Sequence, residues 1–180
     1  MKEVKDLDWI METERLQLRC MTLADRDIIS NILKDAETMY AWEHGFSDQE
    51  VDEWMERNLA RYRQEGHSFW LAFDKNSAEF IGHVGLITEN ILQQDYLGIG
   101  YILDKKYWGQ GYALEAAKAC AEYAFDKLGR ERVIAQIRLN NLRSRSVAEK
   151  LGMQVAFEYT KVYQGKDMPH LVYTLFKAKD

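Results

Sequence analysis

One stretch, residues 97–127, restricts the possible folds of this chain more than any other. It opens with an apolar run typical of a buried strand, passes through a turn with two glycines, and ends in an alanine-rich helical pattern. Small and apolar residues recur there at spacings of three and four, which places them on one helix face: Ala113, Ala117, Cys120, Ala124 and Leu128. The pattern predicts a helix over residues 109–129 that lies close against a sheet, with Gly129 as its left-handed cap.

The turn between the strand and the helix has the properties of an anion-binding site. Gly109 and Gly111 allow the backbone to approach a ligand closely. The helix that follows presents unpaired N–H groups and the positive end of its dipole. The turn therefore predicts a ligand that carries phosphate. The alternative is a surface turn that the two glycines only shape.

Two common nucleotide-binding motifs lack their confirming residues here. A P-loop needs a Lys-Ser or Lys-Thr pair after its last glycine, whereas Gly111 is followed by Tyr112 and Ala113. A dinucleotide-binding fingerprint needs a third small residue, where Leu114 stands. It also needs an acidic residue at the end of the next strand, where residues 138–140 are Arg-Leu-Asn. Both kinds of nucleotide fold are therefore disfavoured.

The turn resembles the cofactor-binding motif of the GCN5-related N-acetyltransferase (GNAT) superfamily, Q/R-x-x-G-x-G/A, with Trp108, Gly111 and Ala113 in the fixed positions. Trp108 replaces the usual Gln or Arg, a form similar to the ribosomal-protein N-terminal acetyltransferases and their small-molecule relatives. Residues 14–19 resemble the first strand of that subgroup, T-x-R-L-x-L-R. Residues 141–153 resemble its N-x-x-S…V-x-E-K-L-G-M/F block, so the similarity spans nearly the whole chain.

The resemblance implies one α/β domain over residues 1–180 with a mixed, mostly antiparallel central sheet. The sheet is expected to have a V-shaped split between two central strands, 97–103 and 132–137, and to be flanked by about four helices. Periodicity and capping residues predict the remaining elements: a strand from Leu16, helices after Thr22 and Ser47, strands 68–73 and 79–88, a helix capped by Asn141, and a hairpin of 154–163 with 168–176. Residues 1–12 are expected to form a loose arm.

The same resemblance implies that acetyl-CoA is the co-substrate and lies in the split. The backbone of three residues at the end of the central strand would bind the pantetheine arm: Tyr101, Ile102 and Leu103. The pyrophosphate would bind to the turn: Trp108, Gly109, Gln110, Gly111, Tyr112 and Ala113. Asn141 and Ser144 would contact the cofactor from the opposite side, with Asn141 bonded to the pantetheine. No metal is expected.

Acyl transfer from a thioester to an amine needs a neutral amine, a donor for the developing oxyanion and a proton for the leaving thiolate. Many relatives supply that proton from a tyrosine on the second helix, but Ala148 occupies the position here. In the subgroup the serine of N-x-x-S is the candidate acid, which is Ser144. Ser144 is otherwise an ordinary serine in the first turn of a helix.

The general base is harder to assign, because Gly98 stands where relatives often have a glutamate on the central strand. The titratable candidates are Glu89, Asp95, His83 and His170. His170 opens the last strand, near where the subgroup often has an acidic residue that faces the acceptor. His83 follows Gly82 within a strand and is expected to be structural.

Composition restricts the partners and the compartment. The net charge of −5 argues against a nucleic-acid partner and is compatible with an amine acceptor. The sequence has neither a signal-peptide pattern nor an apolar run long enough to span a membrane. Cys20 and Cys120 lack metal-binding spacing and are expected to be thiols in a reducing, cytoplasmic environment. Both a monomer and a homodimer are compatible with the sequence.

Together these features predict an N-acetyltransferase that acts on a primary amine, most simply the α-amine of a peptide or protein N-terminus. The helix connection around Tyr40, Trp42 and His44 is rich in acids, including Glu37 and Glu43. That loop either shapes the acceptor pocket or is merely solvated. A small amine, such as a polyamine, amino acid or antibiotic, is the alternative acceptor. A non-catalytic acyl-CoA-binding module is the alternative of another class.

Overall fold

The computed structural model of the protein describes residues 8–179. Over that range the chain forms one sheet of eight strands in the order β1-β2-β3-β4-β5-β6-β8-β7. The strands are β1 (Trp9–Glu12), β2 (Leu16–Arg19), β3 (Phe69–Asp74), β4 (Phe80–Ile91), β5 (Gln94–Leu103), β6 (Arg132–Arg138), β7 (Gln154–Tyr163) and β8 (Lys166–Phe176). The α-helices of this range are α1 (Arg26–Leu33), α2 (Asp48–Glu65), α3 (Tyr112–Asp126) and α4 (Leu142–Lys150).

Neighbouring strands run antiparallel except for β5 and β6, which are parallel. Within the described range, β5 and β6 are paired in register at a single position, Gly98 with Ile134. β4 and β5, in contrast, stay paired from Gly82 to Ile91. Beyond Gly98 the two parallel strands separate, and the sheet opens into a V-shaped split. The predicted mixed, mostly antiparallel α/β fold is therefore confirmed.

Helices cover both faces of the sheet. Trp70 and Ala72 of β3 belong to the same core as α3, whereas Phe69 and Leu71 pack with α1 and α2. Because successive side chains of a strand point to opposite faces, these two cores lie on opposite sides of the sheet. The buried face of α3 consists of small residues, and the prediction is confirmed for Ala117, Cys120 and Ala124. The predicted Ala113 and Leu128 are only half-buried, whereas Ala116 and Ala121 are buried and were not predicted.

The start of α2 follows directly from its sequence. The Ser47 side chain accepts a hydrogen bond from the Glu50 N–H, and the Glu50 carboxylate accepts one from the Ser47 N–H. This capping box satisfies two N–H groups at the N-terminus of the helix. Gly66 ends the helix with φ of 78°, a left-handed conformation that glycine adopts without a steric cost.

The predicted loose arm is wrong for the residues that the structure describes. Trp9–Glu12 forms the edge strand β1, which pairs with β2. The carboxylate of Glu115 in α3 ties down the following turn, because it accepts hydrogen bonds from the Thr13 hydroxyl and the Arg15 N–H. Charged composition alone did not reveal this pairing. Residues 1–7 lie outside the described range.

Two element boundaries also differ from the prediction. α3 begins at Tyr112 and not at residue 109, because Gly109 and Gly111 have φ of 75° and 83°, outside the helical range. β4 and β5 are longer than expected and join at Leu92 and Gln93. Both residues have positive φ, 51° and 67°, as a two-residue hairpin turn of the I′ type requires. Neither is a glycine or asparagine, so the turn was not recognisable from sequence.

Candidate active site

Two cavities meet at the split between β5 and β6. The first cavity, about 630 Å³, is lined by the end of β5, the glycine turn and the first turns of α3 and α4. The second cavity, about 340 Å³, is lined by residues of α2, α4, the six strands β3 to β8, and the connection between α1 and α2. Six residues line both cavities: Ala41, Trp42, Tyr101, Ile102, Asn141 and Ser144. A ligand in the first cavity can therefore meet a ligand in the second at this junction.

The glycine turn fits a phosphate group. Among residues 8–179, no protein atom accepts a hydrogen bond from the backbone N–H groups of Gly111, Tyr112, Ala113 or Leu114. These groups lie at the N-terminus of α3, where the helix dipole favours an anion. Arg15 holds the turn from behind, because its guanidinium donates to the Gln110 carbonyl at 2.9 Å and lies 4.2 Å from the centre of the Tyr112 ring.

Two cations of α4 complete the wall of the first cavity. The Arg143 guanidinium lies 4.3 Å from the centre of the Trp108 ring, and Lys150 lines the same cavity two helical turns further on. Neither has a carboxylate within 4.0 Å among the residues that the structure describes. Neither cation was predicted from the sequence as part of the site. Their spacing of seven residues, which puts them on one helix face, was the available signal.

The end of β5 exposes backbone groups to the split. The Asp104 N–H donates to the Ile81 carbonyl of β4 at 3.1 Å. Since backbone groups alternate sides along a strand, the N–H and C=O groups of Tyr101 and Leu103 face the split, and those of Ile102 face β4. The Leu103 carbonyl already accepts a hydrogen bond from the Trp108 indole at 2.9 Å. Three residues were predicted to bind pantetheine through their backbone. Of these, Tyr101 is the one whose N–H and C=O groups both face the split without another partner among residues 8–179.

Asn141 and Ser144 form the junction of the two cavities. The Asn141 side-chain oxygen accepts hydrogen bonds from the Ser144 N–H, at 3.1 Å, and from the Tyr40 hydroxyl. That oxygen is therefore used internally, and the amide NH₂ of Asn141 is the group left for a ligand. The Ser144 carbonyl accepts a hydrogen bond from the Tyr101 hydroxyl at 2.9 Å. The Ser144 hydroxyl itself has no partner among the described residues.

Glu89 is the carboxylate that the structure places in the second cavity. The Gln136 amide donates to it, and the Tyr159 hydroxyl donates to the Gln136 oxygen. Burial raises the pKa of the Glu89 carboxyl above its ordinary value, although the charges of Lys161 and Arg61 and the Gln136 hydrogen bond oppose that rise. The same cavity therefore contains a carboxylate that is oriented by an amide and has an increased affinity for a proton.

His170 also lines the second cavity. Its Nδ1 lies 2.7 Å from the Met168 carbonyl, so that nitrogen carries the proton and Nε2 is left with a lone pair. Burial lowers the pKa of His170, and the nearby positive charges of Lys161 and Arg138 lower it further. The hydrogen bond to the Met168 carbonyl has the opposite, weaker effect. The ring is therefore a weaker base than an ordinary histidine.

The other two candidates for the base lie outside both cavities. The ring of His83 is fully buried between Trp54 and Phe80, with centroid distances of 4.9 and 5.3 Å. Asp95 is exposed near the end of the β4–β5 hairpin and accepts a hydrogen bond from Asn90 at 2.7 Å. Ala148 is a buried residue of α4 and does not line either cavity.

The acidic helix connection forms internal ion pairs. Glu37 binds Lys105 at 2.7 Å, and Glu43 binds both Arg138, at 3.1 Å, and Lys166, at 2.5 Å. Tyr40 and Trp42 line the first cavity, so this loop does shape the site with its aromatic residues. Its two carboxylates, however, are occupied by intramolecular cations and do not line the second cavity.

Among residues 8–179, no group of three or more His, Cys, Asp or Glu side chains is arranged to hold a metal ion. No helix in the same part of the chain is long and apolar enough to cross a membrane.

Comparison with known proteins identifies the family of the chain. Residues 15–154 match the model of the acetyltransferase (GNAT) domain. Protein YkkB of Bacillus subtilis, which is uncharacterized, is 34% identical over 162 residues, covering 89% of this chain and 92% of YkkB. The uncharacterized N-acetyltransferase p20 of Bacillus licheniformis is 31% identical over 146 residues, covering 79% of this chain and 80% of p20. The chain belongs to the GNAT family and is an acetyl-CoA-dependent N-acetyltransferase.

Solved structures share the fold. The ribosomal-protein-S5-alanine acetyltransferase of Vibrio fischeri has a TM-score of 0.72 and 23% identity, covering 92% of this chain and 95% of that protein. The spermidine N-acetyltransferase of Vibrio cholerae, solved with CoA and spermine, has a TM-score of 0.73 and 17% identity, covering 90% and 95%. At these identities the likeness concerns the fold, which is common to enzymes with different acceptors.

Proposed function

We propose that the protein acetylates the α-amine of a peptide or protein N-terminus, by direct attack of the amine on acetyl-CoA while both are bound. The observation that carries the proposal is the junction of two cavities at Tyr101, Asn141 and Ser144. One cavity offers a phosphate site, and the other offers a carboxylate that can accept a proton. Orienting two reactants at such a junction is worth about 7–11 kcal/mol of the activation barrier.

Glu89 is the general base of the proposed reaction. An acceptor ammonium must lose a proton before it can attack, and proton transfer is favoured when the pKa of the base approaches that of the acid. Burial raises the pKa of Glu89 in that direction, while Gln136 and Tyr159 fix the carboxylate. The lowered pKa of His170 makes that ring the weaker alternative.

The groups at the junction act on the thioester side. Acetyl-CoA supplies an acetyl group activated as a thioester. The Tyr101 N–H faces the split and is the candidate donor to the thioester oxygen, and the Ser144 hydroxyl is the candidate proton donor for the leaving thiolate. Cys20 and Cys120 are not among the residues that line the two cavities, and burial raises the pKa of both thiols. An acyl-cysteine intermediate is therefore disfavoured.

The choice of an α-amine follows from acid–base chemistry. An α-amine has a pKa near ~8, so roughly a tenth is neutral at pH 7, whereas a polyamine or lysine amine near ~10 is neutral about once in a thousand. Arg61 and Lys161 in the second cavity further disfavour the ammonium form of whatever amine binds there. The site therefore suits the less basic nucleophile. The alternative, a non-catalytic acyl-CoA-binding module, is disfavoured. Although Gly98 carries no carboxylate that could act as the base, Glu89 provides one in the same cavity.

The test is an acceptor panel. Free thiol released from acetyl-CoA is measured with a peptide carrying a small free N-terminal residue, the same peptide with a blocked N-terminus, spermidine and lysine. We expect the free peptide to be preferred and mass spectrometry to place the acetyl group on its α-amine. Acetylation of spermidine with an efficiency about tenfold higher than the peptide would contradict the proposal.

A further inference from the structure

The wall of the second cavity is rich in cations. Arg57 and Arg61 of α2, Arg138 of β6 and Lys161 of β7 all line it. Among the described residues that line this cavity, Glu89 is the one carboxylate. This cationic wall belongs to a chain whose net charge is −5, so overall composition does not account for it.

Three of these cations form no ion pair within the described part of the chain. The Arg138 guanidinium is 3.1 Å from the Glu43 carboxylate and donates to the Ala41 carbonyl at 3.0 Å. Arg57, Arg61 and Lys161, in contrast, have no carboxylate within 4.0 Å among residues 8–179. A cation can bind a ligand only if it is not already paired with a carboxylate of the protein. Arg57, Arg61 and Lys161 meet this condition.

The positions of the free cations indicate that they act within one cavity. Arg57 and Arg61 are four residues apart on α2, so they lie side by side on one helix face, where like charges repel. The charges of Arg61 and Lys161 reach Glu89, because both oppose the rise in its pKa. The Arg57 charge reaches Tyr163 on the β7 side, where it opposes the rise in pKa that burial causes. The cations therefore surround a space that Glu89 also faces.

This charge distribution selects against one class of amine. A diamine or polyamine places a second ammonium group near the one that reacts, and that group would face three free cations. Like charges brought together in this way weaken binding and give specificity by repulsion. The acids of the helix connection cannot compensate, since Glu37 and Glu43 are already paired with Lys105, Arg138 and Lys166.

We infer that the acceptor carries a carboxylate close to its reactive amine, bound by Arg57, Arg61 and Lys161 while the amine lies at Glu89. An arginine guanidinium binds a carboxylate through two parallel hydrogen bonds, which gives geometric selectivity as well as attraction. The carboxylate has two chemical sources. It is either an acidic side chain near a peptide N-terminus or the α-carboxylate of a free amino acid. The inference rests on the proposed function, because it names the acceptor of the same site.

The first experiment compares acceptors that differ in one charge. Peptides with N-terminal Ala followed by Glu, Gln or Lys are assayed with acetyl-CoA, together with alanine and alaninamide. We expect kcat/KM to be about tenfold higher for the Glu peptide than for the Gln peptide, and lowest for the Lys peptide. A preference for alanine over alaninamide would assign the α-carboxylate as the source and would correct the peptide acceptor to an amino acid. Equal rates across the charge series would overturn the inference.

The second experiment tests the residues. Arg61→Gln and Arg57→Gln should each reduce the preference for Glu over Gln by about tenfold, with the effect mostly in KM. Arg63→Gln is the matched control, because Arg63 is an exposed arginine of the same helix and does not line either cavity. A variant that lowers activity equally for all acceptors has a structural role, and that result would remove the residue from the carboxylate site.

A binding measurement separates this inference from the proposed function. Binding of the Glu and Gln peptides to the CoA-saturated protein is measured by calorimetry, without turnover. If no amine is acetylated but the Glu peptide binds about tenfold more tightly, the proposed reaction fails and the carboxylate site stands. If peptides are acetylated but the two bind equally, the proposed reaction stands and the carboxylate site is wrong.

Discussion

Glu89 of β4 lies over Gly98 of β5. A Cβ atom placed on Gly98 would be 3.1 Å from the Glu89 Cγ, so a larger residue at position 98 would displace the glutamate. Gly98 pairs with Ile87 across the hairpin, and Glu89 is two residues further on the same face. The absence of a side chain at Gly98 therefore makes the space that the Glu89 side chain occupies, and this is the side chain proposed as the general base.

This relationship leads to a pH prediction for Glu89→Gln. The base works when it is ionised, so kcat/KM should rise with pH as the Glu89 carboxyl loses its proton, at a pH above the ordinary glutamate range because its pKa is raised. The variant should lower kcat/KM by about 10²–10⁴-fold near neutral pH and should lose that limb of the profile. The limb that belongs to the amine itself should remain.

Glu158→Gln is the control for that measurement, since Glu158 is an exposed glutamate of β7 that does not line either cavity. It should leave both the rate and the pH profile unchanged. If Glu89→Gln lowers the rate without changing the shape of the profile, Glu89 positions the acceptor and does not take its proton.

A second prediction concerns the phosphate site. Gly111→Val places a branched side chain at a position with φ of 83°, where the backbone must approach the ligand. Coenzyme A at 100 times its dissociation constant should stabilise the wild-type protein by about 2.7 kcal/mol, and this variant should lose that gain. Gly129→Val controls for backbone strain, because Gly129 has φ of 63° and lies beyond the far end of α3. Retention of the thermal shift in a folded Gly111→Val protein would disprove the site.

A third prediction concerns stability and the buried ring of His83. Burial lowers the pKa of His83 from an ordinary value of 6.5 to about 3. Because the folded pKa is below the unfolded one, the ring's contribution to stability is complete above pH 6.5 and is lost as the pH falls toward 3. The free energy of unfolding should therefore decrease by about 1.4 kcal/mol per pH unit in that window through this group alone.

His83→Leu should flatten this acid dependence. Both ring nitrogens lack a hydrogen-bond partner among the described residues, so an apolar side chain loses no such contact there. His44→Asn is the control. Hydrogen bonds to Glu50 and Trp42 raise the pKa of His44, so protonation of His44 stabilises the folded protein, whereas protonation of His83 destabilises it. Denaturant unfolding between pH 7 and pH 4 measures both. An unchanged slope in His83→Leu would show that other groups dominate acid unfolding.

The local features of this fold were predictable where one segment determines them. The strand, glycine turn and small-residue face of α3 are encoded within residues 97–127, and Ser47 with Glu50 specifies the start of α2 in four residues. The first cavity was therefore anticipated through Gly111 and Asn141. The β4–β5 turn was not, because Leu92 and Gln93 adopt positive φ without the residue types that normally signal it.

The second cavity was not predictable in the same way. Its lining comes from eight helices and strands and from the connection between α1 and α2. No spacing along the chain connects Arg61 with Lys161 or Glu89 with Gln136. The sequence left open whether the acidic loop shapes the acceptor pocket or is solvated, because a sequence shows charges but not their partners. Only the structure reveals that Glu43 is paired with Arg138 and Lys166, which leaves the cavity with the opposite charge.

The last prediction tests the proton donor. Ser144→Ala removes the hydroxyl at the junction of the two cavities but keeps the Ser144 backbone N–H that donates to Asn141, so the cap of α4 is preserved. If the hydroxyl protonates the leaving thiolate, kcat should fall by about 10²–10⁴-fold while the affinity for acetyl-CoA changes little. Ser146→Ala is the matched control, because Ser146 is on the same helix and lines the first cavity but not the second. Steady-state kinetics with an excess of acceptor measures both variants. A loss below about threefold in Ser144→Ala would return this serine to an ordinary position in the first turn of a helix.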